Sequence, residues 1–210
     1  MSNPEIEPEP EVAATVFGEG IELARRFTAD LGRRGEELGL IGPLELPRLW
    51  TRHVINSGLV AEVVKPGNVA DVGSGAGLPG IPLAIICPDT HFVLIEPMER
   101  RVDWLRHEIA ELGLDNAEVL RGRSEDVHID EPMDQVTARA VSSLSKLIPI
   151  TVGLLRRGGE LIFMKGERVH EEITAAEKVI RREQVSNIEV LVLGEGITPE
   201  VTRVFRATVD

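Results

Sequence analysis

Two rhythms divide the chain, and they meet near residue 66. Before it, Val16, Ile21, Leu23, Ala24, Phe27 and Leu31 recur at helical spacing, which predicts one or two helices across 12–39, ended by Gly39 or Gly42. Pro43 and Pro47 break the chain, and a further helix is predicted over 47–64, stopping before Pro66-Gly67. After it, short apolar runs alternate with amphipathic stretches. Strands are predicted at 69–73, 92–96, 117–121, 135–141 and 160–165. Helices are predicted at 81–86, 99–112, 144–155 and 168–183. The helix at 99–112 carries Val102, Leu105, Ile109 and Leu112 on one side and stops at Gly113. Two last runs, 188–193 and 202–209, alternate as an antiparallel pair would. Strands interleaved with helices imply a doubly wound, mostly parallel α/β sheet covered on both faces, with an antiparallel terminal pair.

Three units follow: a disordered acidic tail at 1–11, where Glu and Pro alternate, an N-terminal helical extension at 12–65, and a main domain at 66–210. With 210 residues, 42% hydrophobic and 28% charged, the chain reads as an ordinary soluble globular protein. No apolar stretch has the length a membrane span needs, and no secretory signal is expected from the acidic N-terminus. Cys87 is the single cysteine, so an intrachain disulfide is excluded and a reducing cytoplasm fits. The five histidines are scattered without ligand spacing, so no metal site is expected.

Charge is unevenly spread within a formal net of −12. Residues 1–20 hold five acids and no base, 21–65 are net +1, and 66–210 are net −8. Such a total argues against coating nucleic acid by charge alone. Local basic patches remain: Arg25-Arg26, Arg33-Arg34, Arg48 and Arg52.

The chemistry concentrates where the first predicted strand meets the first helix of the main domain. There the chain reads Asp71-Val-Gly73-Ser-Gly75-Ala-Gly77-Leu-Pro-Gly80. Glycines let a backbone turn tightly and approach a ligand with no Cβ in the way. Glu96 ends the second strand, where a carboxylate can accept both hydroxyls of a ribose. Together these point to an adenosine-containing cofactor. Gly75-x-Gly77-x-x-Gly80 also matches a dinucleotide fingerprint, so a nicotinamide cofactor stays open. Pro79 and Pro82 withhold N–H groups that a pyrophosphate would use, which favours S-adenosylmethionine.

Further motifs carry a resemblance to a family. Asp71–Ile85 (DVGSGAGLPGIPLAI), Glu96 with Arg100-Arg101, Arg123-Ser124-Glu125, Ala138-Arg139-Ala140, Lys165-Gly166 and Trp50-x-x-His53-x-x-x-Ser57 resemble the glucose-inhibited division protein B family. Its members are class I S-adenosylmethionine-dependent methyltransferases that modify guanine N7 in small-subunit (16S) ribosomal RNA. The resemblance implies cofactor contacts at Gly73 and Leu78, ribose at Glu96, adenine near Ser124 and Glu125, and a role for Arg139 at the end of the fourth strand. Gly75 joins them from the glycine loop. It also implies 16S RNA, in its decoding region, as partner; no membrane or metal partner, a cytoplasmic setting and a monomer are expected beside it. The sequence departs from the family pattern at Glu96, where Asp is usual, and at Asn56, where Asp often stands before Ser57.

Guanine N7 carries a lone pair and no proton, so its methylation requires no general base, only alignment at near-attack distance. Arg139 and Lys165, at the carboxyl ends of the fourth and fifth strands, are the candidate catalytic residues. Arg139 could hold the methionine carboxylate, guanine O6 or a phosphate, or instead form an ion pair with Asp134 or Glu96. Arg52, His53, Ser57 and Lys165 are the candidate substrate contacts, with Trp50, His53 and Ser57 on one helical face. Two other classes stay open: a nicotinamide-dependent oxidoreductase, and a non-catalytic RNA-binding assembly factor.

Overall fold

Successive residues of a central strand turn to opposite faces, and here both faces are apolar. In the computed structural model, which describes residues 5–210, seven strands form one sheet: β1 (Asn68–Val72), β2 (His91–Glu96), β3 (Ala117–Arg121), β4 (Met133–Arg139), β5 (Leu155–Lys165), β6 (Val185–Leu193) and β7 (Thr202–Val209). Their order is β3-β2-β1-β4-β5-β7-β6. β1 to β5 pair in parallel, and β7 runs antiparallel between β5 and β6. The predicted doubly wound sheet with its antiparallel terminal pair is therefore present.

The helices are α1 (Val12–Phe17), α2 (Ile21–Arg34), α3 (Asn56–Leu59), α4 (Gly80–Ile86), α5 (Glu99–Leu112), α6 (Leu144–Thr151) and α7 (Val169–Arg182). Val69, Phe92, Leu94, Ile162 and Val204 face α4, α5 and the N-terminal helices, with Phe27, Leu31, Ile55 and Trp104 in the same buried cluster. Val72, Val93, Val136, Leu161, Phe163 and Phe205 face α6 and α7. Phe163 and Phe205 stack across β5 and β7 with centroids 6.0 Å apart. The extension at 12–65 thus shares one core with the sheet. Gln135 of β4 joins them: its amide oxygen accepts the Lys65 N–H at 2.8 Å, and its amide nitrogen donates to the Lys65 carbonyl at 2.7 Å.

Three segments differ from the predicted elements. Of the stretch 1–11, expected as a disordered tail, residues 1–4 lie outside the described residues. The rest is held against the extension: Glu7 donates its N–H to the Leu46 carbonyl at 2.9 Å and accepts the Thr51 N–H at 2.9 Å, and Glu9 pairs with Arg25 at 2.6 Å. Glu7 and Glu9 thus meet a backbone N–H and a base of the extension, which ties down a stretch that alternating Glu and Pro alone would leave solvated. The single helix expected over 47–64 is instead a 3-10 segment at Pro43–Arg48, a π-helical stretch at Leu49–Ile55, α3, and a 3-10 turn at Val60–Glu62. There the Ser57 hydroxyl donates to the His53 carbonyl at 2.6 Å, and the Arg139 guanidinium donates to the Arg52 carbonyl at 3.2 Å. Side chains that take such carbonyls favour a widened turn over a regular ladder. Finally, the helix expected over 144–155 is α6 continued by a 3-10 turn at Val152–Leu154, but the strand expected at 160–165 begins earlier, at Leu155. α6 ends at Thr151, and Gly158-Gly159 form a register shift inside β5, between the Met133–Leu155 and Gln135–Glu160 pairs.

Asp71 joins the sheet to the loop that follows it. It is fully buried; its carboxylate accepts the Gly80 N–H at 3.1 Å and the Thr137 hydroxyl at 3.2 Å. A Cβ at Gly80 would lie 2.7 Å from Asp71 Oδ2, so only glycine lets α4 begin this close to β1. Burial pushes the Asp71 carboxyl up to about 6, against the pull of its hydrogen bonds.

Two predictions follow from this packing. At Gly58 a Cβ would sit 2.9 Å from Val16 Cγ1, 3.0 Å from Phe17 Cζ and 3.1 Å from Ile86 Cδ1, where α1, α3 and α4 meet. Gly58→Ala is expected to lower stability by about 1–3 kcal/mol, as a fall in the urea midpoint at constant slope; an unchanged midpoint would mean that the three helices part freely. The second concerns Asp71. Its folded carboxyl takes up a proton near 6 and the unfolded one near about 4, so between these values the folded state binds more protons and stability falls as pH rises. On going from pH 8 to pH 5 the wild type should gain about 1.4 kcal/mol relative to Asp71→Asn. Parallel pH profiles for the two chains would show that Asp71 titrates normally.

Candidate functional site

The loop from β1 to α4 lies at the carboxyl edge of the sheet, where doubly wound folds bind ligands. The N–H groups of Gly73 and Ser74 both donate to the Ile95 carbonyl, at 2.9 and 3.2 Å. Gly75 donates to Glu96 Oε2 at 3.0 Å, and the Trp104 indole N–H of α5 donates to the Ala76 carbonyl at 3.0 Å. Gly73 has φ +71°, and a Cβ there would sit 2.8 Å from Val141 Cγ2. Its lack of a side chain keeps a cradle open between the loop and the end of β4. Open space also lies beside Gly75, at φ +55°.

Glu96 is almost fully buried, and its second oxygen, Oε1, accepts the Met98 N–H at 3.0 Å. Each oxygen so spends one acceptor position on the backbone and keeps another. This is the acceptor pair that two vicinal hydroxyls need. The start of α4, in contrast, offers nothing to a pyrophosphate. Gly80 donates to Asp71, Ile81 to the Gly77 carbonyl and Leu83 to the Pro79 carbonyl, and Pro82 has no N–H.

Beside the loop lies a mainly apolar cavity of about 290 Å³, walled by Val72, Gly73, Ile95, Ser124, Val141 and Ile150. It suits a flat base with few polar partners. Glu125 stands at its rim and accepts the Ser124 hydroxyl at 2.9 Å. Gly73, Glu96, Ser124 and Glu125 are thus brought together. Leu78 is not: its side chain joins the core under α4 and α5, and its N–H donates to the Ser74 carbonyl at 3.1 Å.

A second, wider cleft of about 700 Å³ opens beyond the ends of β4 and β5, with Arg52, Arg139, Lys165, Glu200 and Arg203 on its walls. Arg139 forms neither ion pair considered for it. Asp134 is taken by Arg156 at 2.6 Å and by the Asn68 N–H at 2.8 Å, and Glu96 is held by the loop. Arg139 turns instead to the extension. One terminal nitrogen, Nη2, donates to His53 Nδ1 at 2.6 Å and to the Arg52 carbonyl at 3.2 Å, while Nη1 reaches Ser57 Oγ at 3.5 Å. Burial, with the nearby charge of Arg52, lowers the guanidinium to about 10, so it stays a cation at neutral pH. The next residue, Ala140, has φ +54°, a left-handed conformation that L residues avoid and that functional edges of a sheet often hold.

His53 accepts from Arg139 at Nδ1, so its proton sits on Nε2, which donates to Glu45 Oε2 at 2.6 Å. Burial and the charge of Arg139 lower the imidazole to about 4, and the ring is neutral at physiological pH. Arg52 is half-exposed, 3.6 Å from both Glu45 and Glu200. The Lys165 ammonium is largely buried, bonded to Glu172 at 2.7 Å and to the Ser142 carbonyl at 2.8 Å. Residue-by-residue reading missed Glu45, Val141, Glu200 and Arg203. Glu45 lies in a stretch broken by Pro43 and Pro47 that carried no pattern, and the other three reach the site only through tertiary folding.

A family model described as rRNA small subunit methyltransferase G (GidB) matches residues 20–201. A Clavibacter michiganensis subsp. michiganensis protein named ribosomal RNA small subunit methyltransferase G is 60% identical over 204 residues, 97% of each chain. One of the same name from Leifsonia xyli subsp. xyli is 59% identical over 204 residues, 97% of this chain and 98% of its own. Among solved structures, M. jannaschii TYW2 in complex with AdoMet superposes with a TM-score of 0.59 at 20% identity, covering 76% of each chain. That likeness is one of fold, the class I methyltransferase sheet. The match to the family model and the relatives aligned over nearly the whole length agree with the motifs of the glycine loop: the chain belongs to the rRNA small subunit methyltransferase G family.

Proposed function

We propose that this protein transfers a methyl group from S-adenosylmethionine to N7 of a guanine in 16S ribosomal RNA, in the decoding region of the small subunit. One observation carries the reading: a glycine cradle with a buried carboxylate and an apolar cavity stands beside a cleft whose inner wall is a half-buried arginine. The residues fit the cofactor. Glu96 has acceptor positions left for the ribose hydroxyls, the cavity at Ser124 and Val141 takes the adenine, and Gly73 and Gly75 leave room where a Cβ would intrude. When bound, S-adenosylmethionine supplies a methyl group activated by its positive sulfur.

The chain's own part is to bind and orient. Both hydrogens of Arg139 Nη2 are spent on His53 and Arg52, which leaves Nε–H and a second Nη1–H for a ligand. Guanine O6 is the acceptor next to N7, and an arginine that holds O6 would leave N7 free to attack. Arg52 and Lys165 supply positive charge along the cleft, and His53 and Ser57 fix Arg139. No proton leaves N7, so the site needs alignment and exclusion of water rather than a base. A ribosomal RNA substrate fits a cytoplasmic setting, and we propose that the protein acts there as a monomer. No helix among the described residues is long and apolar enough to cross a membrane.

Enzyme and labelled S-adenosylmethionine, incubated with intact small subunits, protein-free ribosomal RNA and a short oligonucleotide, should label a 7-methylguanine, with intact subunits the best substrate. Label on another base would overturn the reading; RNA binding with no label would favour an assembly factor. For the cofactor, Glu96→Ala should weaken binding by about 1.5–3 kcal/mol in calorimetry, the range for charge-assisted hydrogen bonds, and Gly73→Val should abolish it. Wild-type affinity in both soluble variants would put the cofactor elsewhere.

A further inference from the structure

Arg139 enters the cleft on a tether that ends in the extension. Its guanidinium is half-buried, and the atom that binds its Nη2 most closely is the imidazole nitrogen His53 Nδ1, at 2.6 Å. An imidazole accepts only at the nitrogen that lacks a proton, and in the neutral ring either nitrogen can carry it. In an unbiased ring, part of the population would present Nδ1–H to the guanidinium, donor against donor. Something must hold the proton on Nε2. Glu45 is placed to do so: its Oε2 lies 2.6 Å from His53 Nε2.

We propose that Glu45 is a positioning residue for Arg139: its carboxylate accepts the Nε2–H of His53, keeps Nδ1 free to receive the guanidinium, and so aims the remaining N–H groups of Arg139 at the substrate cleft. The inference rests on the reading of Arg139 as a substrate-holding residue.

The carboxylate is itself fixed. Arg48 donates to it through Nε at 3.1 Å and Nη2 at 2.7 Å, a two-point pairing that sets the plane of the carboxylate. Burial works against its ionisation, but the bonds from Arg48 and His53 prevail and lower the carboxyl to about 2, so it is an acceptor at every physiological pH. Ser57 completes the arrangement. Its hydroxyl donates to the His53 carbonyl, which turns its lone pairs toward Arg139 Nη1. The relay therefore runs Arg48, Glu45, His53, Arg139, from the surface of the extension to the end of β4. Glu45 touches neither wall of the cofactor cavity, so its effect should fall on transfer and not on cofactor affinity.

The test joins a tautomer measurement to kinetics in Glu45→Ala, Glu45→Gln, His53→Asn and the double variant Glu45→Ala/His53→Asn, with thermal midpoints confirming folding. Long-range proton–nitrogen spectra should show the Nε2–H form of His53 in the wild type, assigned by the signal lost in His53→Asn, and a shift to mixed forms in Glu45→Ala. With small subunits as substrate, Glu45→Ala should lower kcat about 10-fold or more while the Kd for S-adenosylmethionine stays within about twofold. Glu45→Gln should recover at least about a third of the rate, because its amide oxygen still accepts Nε2–H. Asparagine at 53 offers an amide oxygen where Nδ1 stood and has no tautomer to set, so in that background Glu45→Ala should cost less than about threefold. An unchanged tautomer or an unchanged kcat in Glu45→Ala would overturn the proposal. So would an equal loss from Glu45→Ala in the His53→Asn background, which would mean that Glu45 acts by another route. A wild type that methylates no RNA would overturn the proposed function and this inference with it; an active wild type indifferent to Glu45 would overturn the inference alone.

Discussion

Two buried carboxylates, Asp71 below and Glu96 beside, hold the loop between β1 and α4 in its shape. Asp71 anchors the first N–H of α4, and Glu96 anchors Gly75 and the chain after β2. Burying a carboxylate costs free energy unless hydrogen bonds offset the lost water. At Asp71 they offset it only in part, which is why its carboxyl rises to about 6. The gain is a loop most of whose donors are already committed inside the protein. It keeps one shape without a ligand, and what it offers outward is absence of side chain at Gly73 and unused lone pairs on Glu96. A phosphate finds few donors there, whereas unused carboxylate lone pairs suit hydroxyl groups.

The extension depends on the sheet as closely as the loop does. β4 reaches it at two points, Gln135 on the Lys65 backbone and Arg139 on His53, Ser57 and the Arg52 carbonyl. β7 adds a third through the Thr202 hydroxyl on the Asn56 carbonyl at 3.2 Å. The π-helical turn between these contacts is the local cost of presenting carbonyls sideways. The N-terminal helices are therefore part of the wall of the cleft.

Where burial has a period, the sequence was legible. The strands at 92–96 and 117–121 and the helix at 99–112 match β2, β3 and α5, because a short apolar run buried on both faces, a half-buried alternation and a 3.6-residue stripe each mark one element there. The loop and Glu96 were legible for a different reason: glycine spacing and a carboxylate at a strand end are local chemistry. The segment 43–62 was not, since its conformation is decided by side chains more than 80 residues away, such as Arg139 on His53. Gly158-Gly159 hid the early start of β5, because glycine pairs break elements and also form bulges, and only the register with β4 tells the two apart. The motif does not tell where the Leu78 side chain goes; tertiary packing turns it into the core.

An acidic chain that acts on RNA has to solve a problem of charge, and the cleft shows how. Three of the four cations on its wall, all but Arg203, are held by an acceptor: Arg52 lies near Glu45 and Glu200, Lys165 is paired with Glu172, and Arg139 is bound to a neutral imidazole. Paired cations project a weak field and attract phosphate poorly at a distance. Their hydrogen-bond directions, however, are fixed. Arg139 stands out because its nearest partner takes no charge from it, so its positive charge is undiminished at the one point where a base would dock. Recognition by such a cleft rests on a guanine already presented by structured RNA and on the aim of a few donors, and an overall charge of −12 is no obstacle to it.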